Sequence, residues 1–367
     1  SASQAATLTS DQVNAMSSAQ VNAFNTDSLD DLTSDVISNL ATSHIFRLST
    51  GFIENLASSQ VQALSSSQIS AFGTAELNQL VGNNLTNLTS DQVLGFTATQ
   101  ISRLDSSNVI GLFDEGLIPH ISPQALAGFS SAVINALSSD QMGAFTTDQI
   151  AVLSAAQLNA IDNTDSDVMA ALGTGAIDAL TSQQVRNLSS EFVRALDTEQ
   201  LRSIRASNIA VMTYAQIQAF DANEFTSLST SQIQAFTGNQ IAQLSTDRIG
   251  ELSTEQIQAL QSGQIQRLTT AQVAHLTSDQ VEALTSDQVN KLYASQLNQF
   301  DSDDVQALDT EDVSAMTTKQ INGLNTSFVS AMTTAQLAAW TSTQARALTA
   351  AQLGAMSSDQ IQSLNVS

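Results

Sequence analysis

The chain has 367 residues, 42% hydrophobic and 13% charged, with a formal net charge of −24 and no cysteine. Lack of cysteine removes disulfides, thiolate metal sites and cysteine nucleophiles. An acidic chain whose only lysines are Lys291 and Lys319 lacks the basic clusters that bind phosphate backbones, so no nucleic-acid partner is expected. No run approaches the ~18 apolar residues of a membrane helix, Val109 to Phe113 being far too short, so no membrane insertion is expected.

The sequence is periodic from its start. Thr9-Ser-Asp-Gln-Val-Asn-Ala-Met16 is followed by Ser17-Ser-Ala-Gln-Val-Asn-Ala-Phe24, and Ser357-Ser-Asp-Gln-Ile-Gln-Ser-Leu364 has the same form. Numbered from its opening residue, usually Ser or Thr, the eight-residue unit most often carries Gln at position 4, an apolar residue such as Val or Ile at position 5, commonly Ala at position 7 and a large apolar anchor at position 8. Anchors recur at Leu8, Met16, Phe24, Leu32 and onward to Leu364, giving about 45 units.

The unit reads as a short helix and a turn. Thr9 with Gln12, Thr89 with Gln92, Thr269 with Gln272 and Thr285 with Gln288 have capping-box spacing, so a helix restarts in every unit. Asp11, Asp91, Asp279 and Asp287 stand in first turns, where negative charge suits the helix dipole. One continuous helix is excluded by angle: eight residues at ~100° rotate the apolar stripe by ~80° per unit. Alternating spacings of three and five match neither a coiled coil nor the period of two of a strand. The expected fold is all-α, an elongated solenoid of short capped helices joined by tight turns, with two or three units per coil. No unit can fold alone, because two buried aliphatic side chains supply roughly 3–6 kcal/mol against about 8–16 kcal/mol of backbone entropy for eight residues.

In chain order, one repeat solenoid over 1–367 divides into a regular array over 1–113, a Pro-containing break over 114–128, a short array over 129–161, an acidic insertion over 162–168 and a second regular array over 169–367. Pro119 and Pro123 predict a bend or widening, suited to a hinge or an assembly contact. Asp114, Glu115 and His120 in that break are conceivable metal ligands, although an acidic loop with one His is usually solvated. In the acidic insertion, Asn163, Asp165 and Asp167 alternate as oxygen ligands do in calcium loops, making calcium a possible cofactor; the Gly and the twelfth-position Glu of an EF-hand are missing. Asp301 to Asp304 is a weaker instance.

His44, His120 and His275 occupy unrelated places in the repeat, so no catalytic triad and no enzyme is expected. Phe24, Phe72, Phe96 and Trp340 sit on anchors and read as core. Phe46, Phe52, Phe192 and Phe328 fall off the anchor and are expected to contact a neighbouring chain. The Asn-x-Ser/Thr triplets at Asn84, Asn87, Asn187, Asn325 and Asn365 read as repeat drift.

The units Leu268-Thr-Thr-Ala-Gln-Val-Ala-His275 and Leu284-Thr-Ser-Asp-Gln-Val-Asn-Lys291 resemble the Leu-Thr-x-x-Gln-Ile/Val-x-Ala arrays of large bacterial secreted or surface-anchored, adhesin-like repeat proteins. The resemblance covers nearly the whole chain and implies a surface location and a structural role, with no catalytic residues. Composition points the same way, to an extracellular bacterial protein, and Ser1 to Leu8 already reads as a repeat, so a leader has been removed or the chain is part of something longer. The expected function is a self-assembling surface-layer, filament or matrix component whose partners are other copies of itself. Alternatives are an adhesin stalk, an array binding a periodic ligand such as polysaccharide or ice, and an intracellular adaptor.

Overall fold

A computed structural model describes residues 2–84 and 88–365. The triplets at Asn84, Asn87 and Asn365 reach outside them. Among the described residues there are 42 α-helices, two short 3-10 helices and no strand. The α-helices span four to seven residues apart from Thr74–Asn84 with eleven, so the fold is all-α and built of short helices, most of them capped.

Two compact units divide the chain, residues 1–196 and 197–367. The second is the more regular. In it the helices Thr230–Ala235, Thr254–Ala259, Ser278–Glu282, Ser302–Ala307, Thr326–Ala331 and Ala350–Ala355 stack in one column, each starting 24 residues after the last. Three units therefore make one coil. The first unit shows the same step in Ser10–Asn14, Ser34–Ser38 and Ser58–Ala63.

Each coil is closed by local chemistry. The Ser or Thr at position 1 is extended and accepts from the N–H of position 4, while the Gln there accepts from the N-cap N–H; in the unit starting at Thr285 these bonds are 3.3 and 2.9 Å. The anchor then leaves helical φ/ψ, as Leu260 and Leu292 do, and the next N-cap follows at once. Positions 5 and 8 fill the core: Ile257 and Leu260, Val289 and Leu292, Val305 and Leu308 are all buried. At one unit boundary the helix runs on. Val81 stands where a Ser or Thr opens most units, and Thr74–Asn84 continues through it.

Small residues at position 7 lie where one coil touches the coil before it. A Cβ on Gly95 would collide with the backbone of Ser66, one on Gly128 with the carbonyl of Ala98, and one on Gly323 would stand 2.7 Å from the Ala294 Cβ.

The first interruption differs from the expectation. Pro119 and Pro123 do not break the array: Ile118–His120 and Ala125–Gly128 are 3-10 helices that pack on Ser90–Val93 and Ala98–Ile101 as ordinary units would. Proline removes one amide donor but suits the opening of a tight turn, and Ile118, Ile121, Leu126 and Phe129 keep the buried places of positions 5 and 8. The extra residue sits earlier, in the seven-residue helix Ser106–Leu112, which brings Phe113 into the anchor place. Phe96, Phe113, Phe129 and Phe145 line up there with ring centroids 5.9, 5.5 and 6.4 Å apart. At the second interruption the three extra residues form a turn, and Ser139–Gly143 still stacks on Ser166–Ala171.

Candidate functional site

The polar core of the coil is its Gln column. Gln288 is buried, its Oε1 accepts from the Thr285 N–H, and its Nε2 donates to the carbonyls of Ile257 and Leu260, both at 2.8 Å. Those two carbonyls lie at the end of a helix of the preceding coil, where backbone donors are few; Ile257 also accepts from the Leu260 N–H at 3.1 Å. One side chain thus satisfies an N-cap in its own coil and two carbonyls in the coil before. The pattern repeats at Gln60, Gln68, Gln92, Gln149, Gln272, Gln320 and Gln352, always reaching back 31 and 28 residues. The capping-box spacing exposes only half of this role.

Residues that replace Gln show what the place demands. His44 keeps one bond, its Nε2 lying 3.0 Å from the Met16 carbonyl. Arg248 donates to the Phe220 carbonyl, pairs with Glu251 at 2.9 Å and covers the Phe225 ring. Asp304 and Asp312 are buried there as carboxylates with nothing to donate. Burial, followed by the charge of Asp309, pushes the Asp312 carboxyl up to about 6. Asp304 is raised for the same first reason, and Glu224, also in the Gln place, is raised by burial too.

Phe52, Phe192 and Phe328, expected to meet a neighbouring chain, are instead buried in the core of their own. They occupy position 4, and that place faces inward between coils, so an aromatic ring replaces the amide. Phe46 stands at position 6 and is 67% exposed.

A Phe at position 4 leaves its N-cap N–H without the Gln acceptor, and an Asn at position 6 of the preceding coil provides one. Asn22 Oδ1 accepts from Ser49, Asn159 from Ser189 and Asn298 from Asn325, at 2.8, 2.7 and 2.7 Å, and these are the units of Phe52, Phe192 and Phe328. Asn14 does the same for the unit of His44, and Asn78 for that of Asn108. Where Gln is present, as in the units after Asn290 and Asn322, the Asn bonds only a carbonyl, and the Gln takes the N–H. Sequence reasoning missed this compensation; the signal was there, an Asn 27 residues (325 less 298) before certain N-caps.

The oxygen-rich candidates are engaged in turns. Asp162 Oδ1 accepts from Thr164 N–H and hydroxyl, which lowers its pKa, and Asp165 Oδ1 accepts from Asp167 and Val168 as the cap of Ser166–Ala171. Asp165 is thus engaged as a helix cap, and among the described residues no three His, Cys, Asp or Glu form a metal-holding group. Asp114 Oδ1 accepts from Gly116 and Leu117, and His120 is exposed. The His275 Nδ1 lies 2.9 Å from the Ala271 carbonyl of its own unit.

Four stretches match the ALTTAQ repeat family model. They are residues 118–155, 257–294, 305–342 and 329–366. The chain is a repeat protein, and the first match opens at Ile118, inside the segment that holds the prolines. No curated protein matches the chain. Among the described residues no helix is long and apolar enough to cross a membrane.

Proposed function

We propose that the chain is a non-enzymatic structural scaffold of the bacterial cell exterior, a component of a surface layer, filament or matrix. The observation that carries this reading is the Gln column. Each coil donates to carbonyls of the coil before it and offers carbonyls to the coil after it, so the joint is open-ended and its polar side chains are consumed in extension. Such head-to-tail contacts build open arrays.

The adhesin-stalk reading shares the same coil. A periodic ligand face is less favoured, because the first Ser or Thr of each unit is occupied as an N-cap and several also donate to Gln, as Ser154 and Thr317 do at 2.9 Å. Sedimentation velocity over a concentration series, with electron microscopy of the same samples, tests the proposal. Growing oligomers or filaments support it. Monomers at every concentration reject self-assembly and favour the stalk.

A further inference from the structure

The only two lysines of the sequence, Lys291 and Lys319, line one hollow of the second unit. Its volume is 450 Å³, within the range of small-ligand sites. Tyr293 shares the wall and is 56% exposed, one of few large apolar groups left open to solvent. Gln266, Asn290, Thr317, Gln320 and Asn322 complete the polar lining, and none of the residues that line the hollow is Asp or Glu. In a chain with 35 acidic and 11 basic residues, that is a local reversal of sign.

Neither lysine is held in an ion pair among the described residues, where the ion pairs involve Arg202 and Arg248 only, and both lysines are exposed. Asn290 and Asn322 donate through Nδ2 to the Ala315 and Ala347 carbonyls, which fixes each side chain and leaves its Oδ1 as an acceptor. The Tyr293 side chain makes no cap bond, so the ring does nothing for its helix.

We propose that this hollow binds an anionic saccharide, a sugar carrying a carboxylate. Two ammonium groups suit the carboxylate, the fixed amide oxygens accept from hydroxyls, and the ring offers a flat apolar face to sugar C–H groups. An acidic peptide uses the ammonium groups but brings few hydroxyls for the amide oxygens. Nucleic acid is repelled by the rest of the chain at net −24.

Isothermal titration of the full chain with trigalacturonate, maltotriose and triglutamate at low ionic strength tests the site. Binding of trigalacturonate at about 1 mM is expected, with no binding of maltotriose. The double variant K291Q/K319Q and, separately, Tyr293→Ala should each weaken it about tenfold, and K291R/K319R should restore it. Ala already serves as N-cap at Ala57, so the Tyr293 variant keeps its helix. Absence of trigalacturonate binding overturns the proposal, as does binding that the variants leave unchanged. Equal affinity for triglutamate overturns the saccharide assignment in favour of a general polyanion site.

Discussion

Asn298 and Asn325 are joined across two coils: the Asn298 Oδ1 accepts the Asn325 backbone N–H at 2.7 Å, in the unit where Phe328 has replaced the Gln that would otherwise take that bond. Asn298→Ala therefore leaves a helix-capping N–H without its acceptor, at a cost of about 1–3 kcal/mol. Asn290→Ala should cost clearly less, because the Thr317 N–H keeps its bond to Gln320. Urea unfolding of both variants measures the difference, and equal costs contradict the compensation.

Asp312 makes the coil pH-sensitive. Its carboxyl is raised from 3.8 to about 6, so the folded state holds a proton that the unfolded state has released. Its contribution is full below about pH 4 and is lost as pH rises through 6, a difference of roughly 1–3 kcal/mol. Asp312→Gln should stabilise the chain at pH 7 and flatten its stability between pH 4 and 7, by replacing a buried acid with an amide that can donate across the coil as Gln320 does to Val289 and Leu292. Thermal unfolding at several pH values reads both effects.

Leu260→Ala should cost about 2–5 kcal/mol, as expected for a buried anchor. In a coil whose units meet only near neighbours, the damage stays local. Hydrogen exchange should rise around residue 260 and stay unchanged near residues 20 and 350. A uniform rise contradicts nearest-neighbour stability.

Gly128→Ala should destabilise by about 1–3 kcal/mol through overpacking, since its new methyl meets the Ala98 carbonyl and the Ile101 side chain. Gly263→Ala, with open space around its Cβ position, is the matched control. Equal unfolding midpoints for the two variants contradict close packing between coils at Gly128.

Much of this architecture is legible in the sequence because its determinants are local. Thr285 and Gln288 lie within one turn, and their capping box follows from spacing alone. The joint between coils is not local. Gln288 reaches back to Ile257 and Leu260, and that distance follows only once three units are known to close a coil. The same gap explains Phe328: its offset from the anchor is visible, but the inward direction of position 4 requires a preceding coil. Pro119 misled for the opposite reason, since the bend or widening expected of it was overridden by Ile118 and Ile121 keeping their places in the core. The lysine hollow leaves little trace, because Lys291 and Lys319 are brought together only by coiling.

The amide joint is tested most directly by Gln272→Glu, a change of the same shape in a buried place whose Nε2 donates to Ile241 and Leu244 at 2.8 Å each. An ionised Glu keeps the acceptor for Thr269 and loses both donors, so its pKa in the folded chain rises and its stability is present at low pH and lost as pH climbs. The measurement is the unfolding free energy of wild type and variant at pH 4 and pH 7. A deficit of about 2–4 kcal/mol at pH 7, shrinking markedly at pH 4, is the predicted result; a variant as stable as wild type at pH 7 contradicts the account.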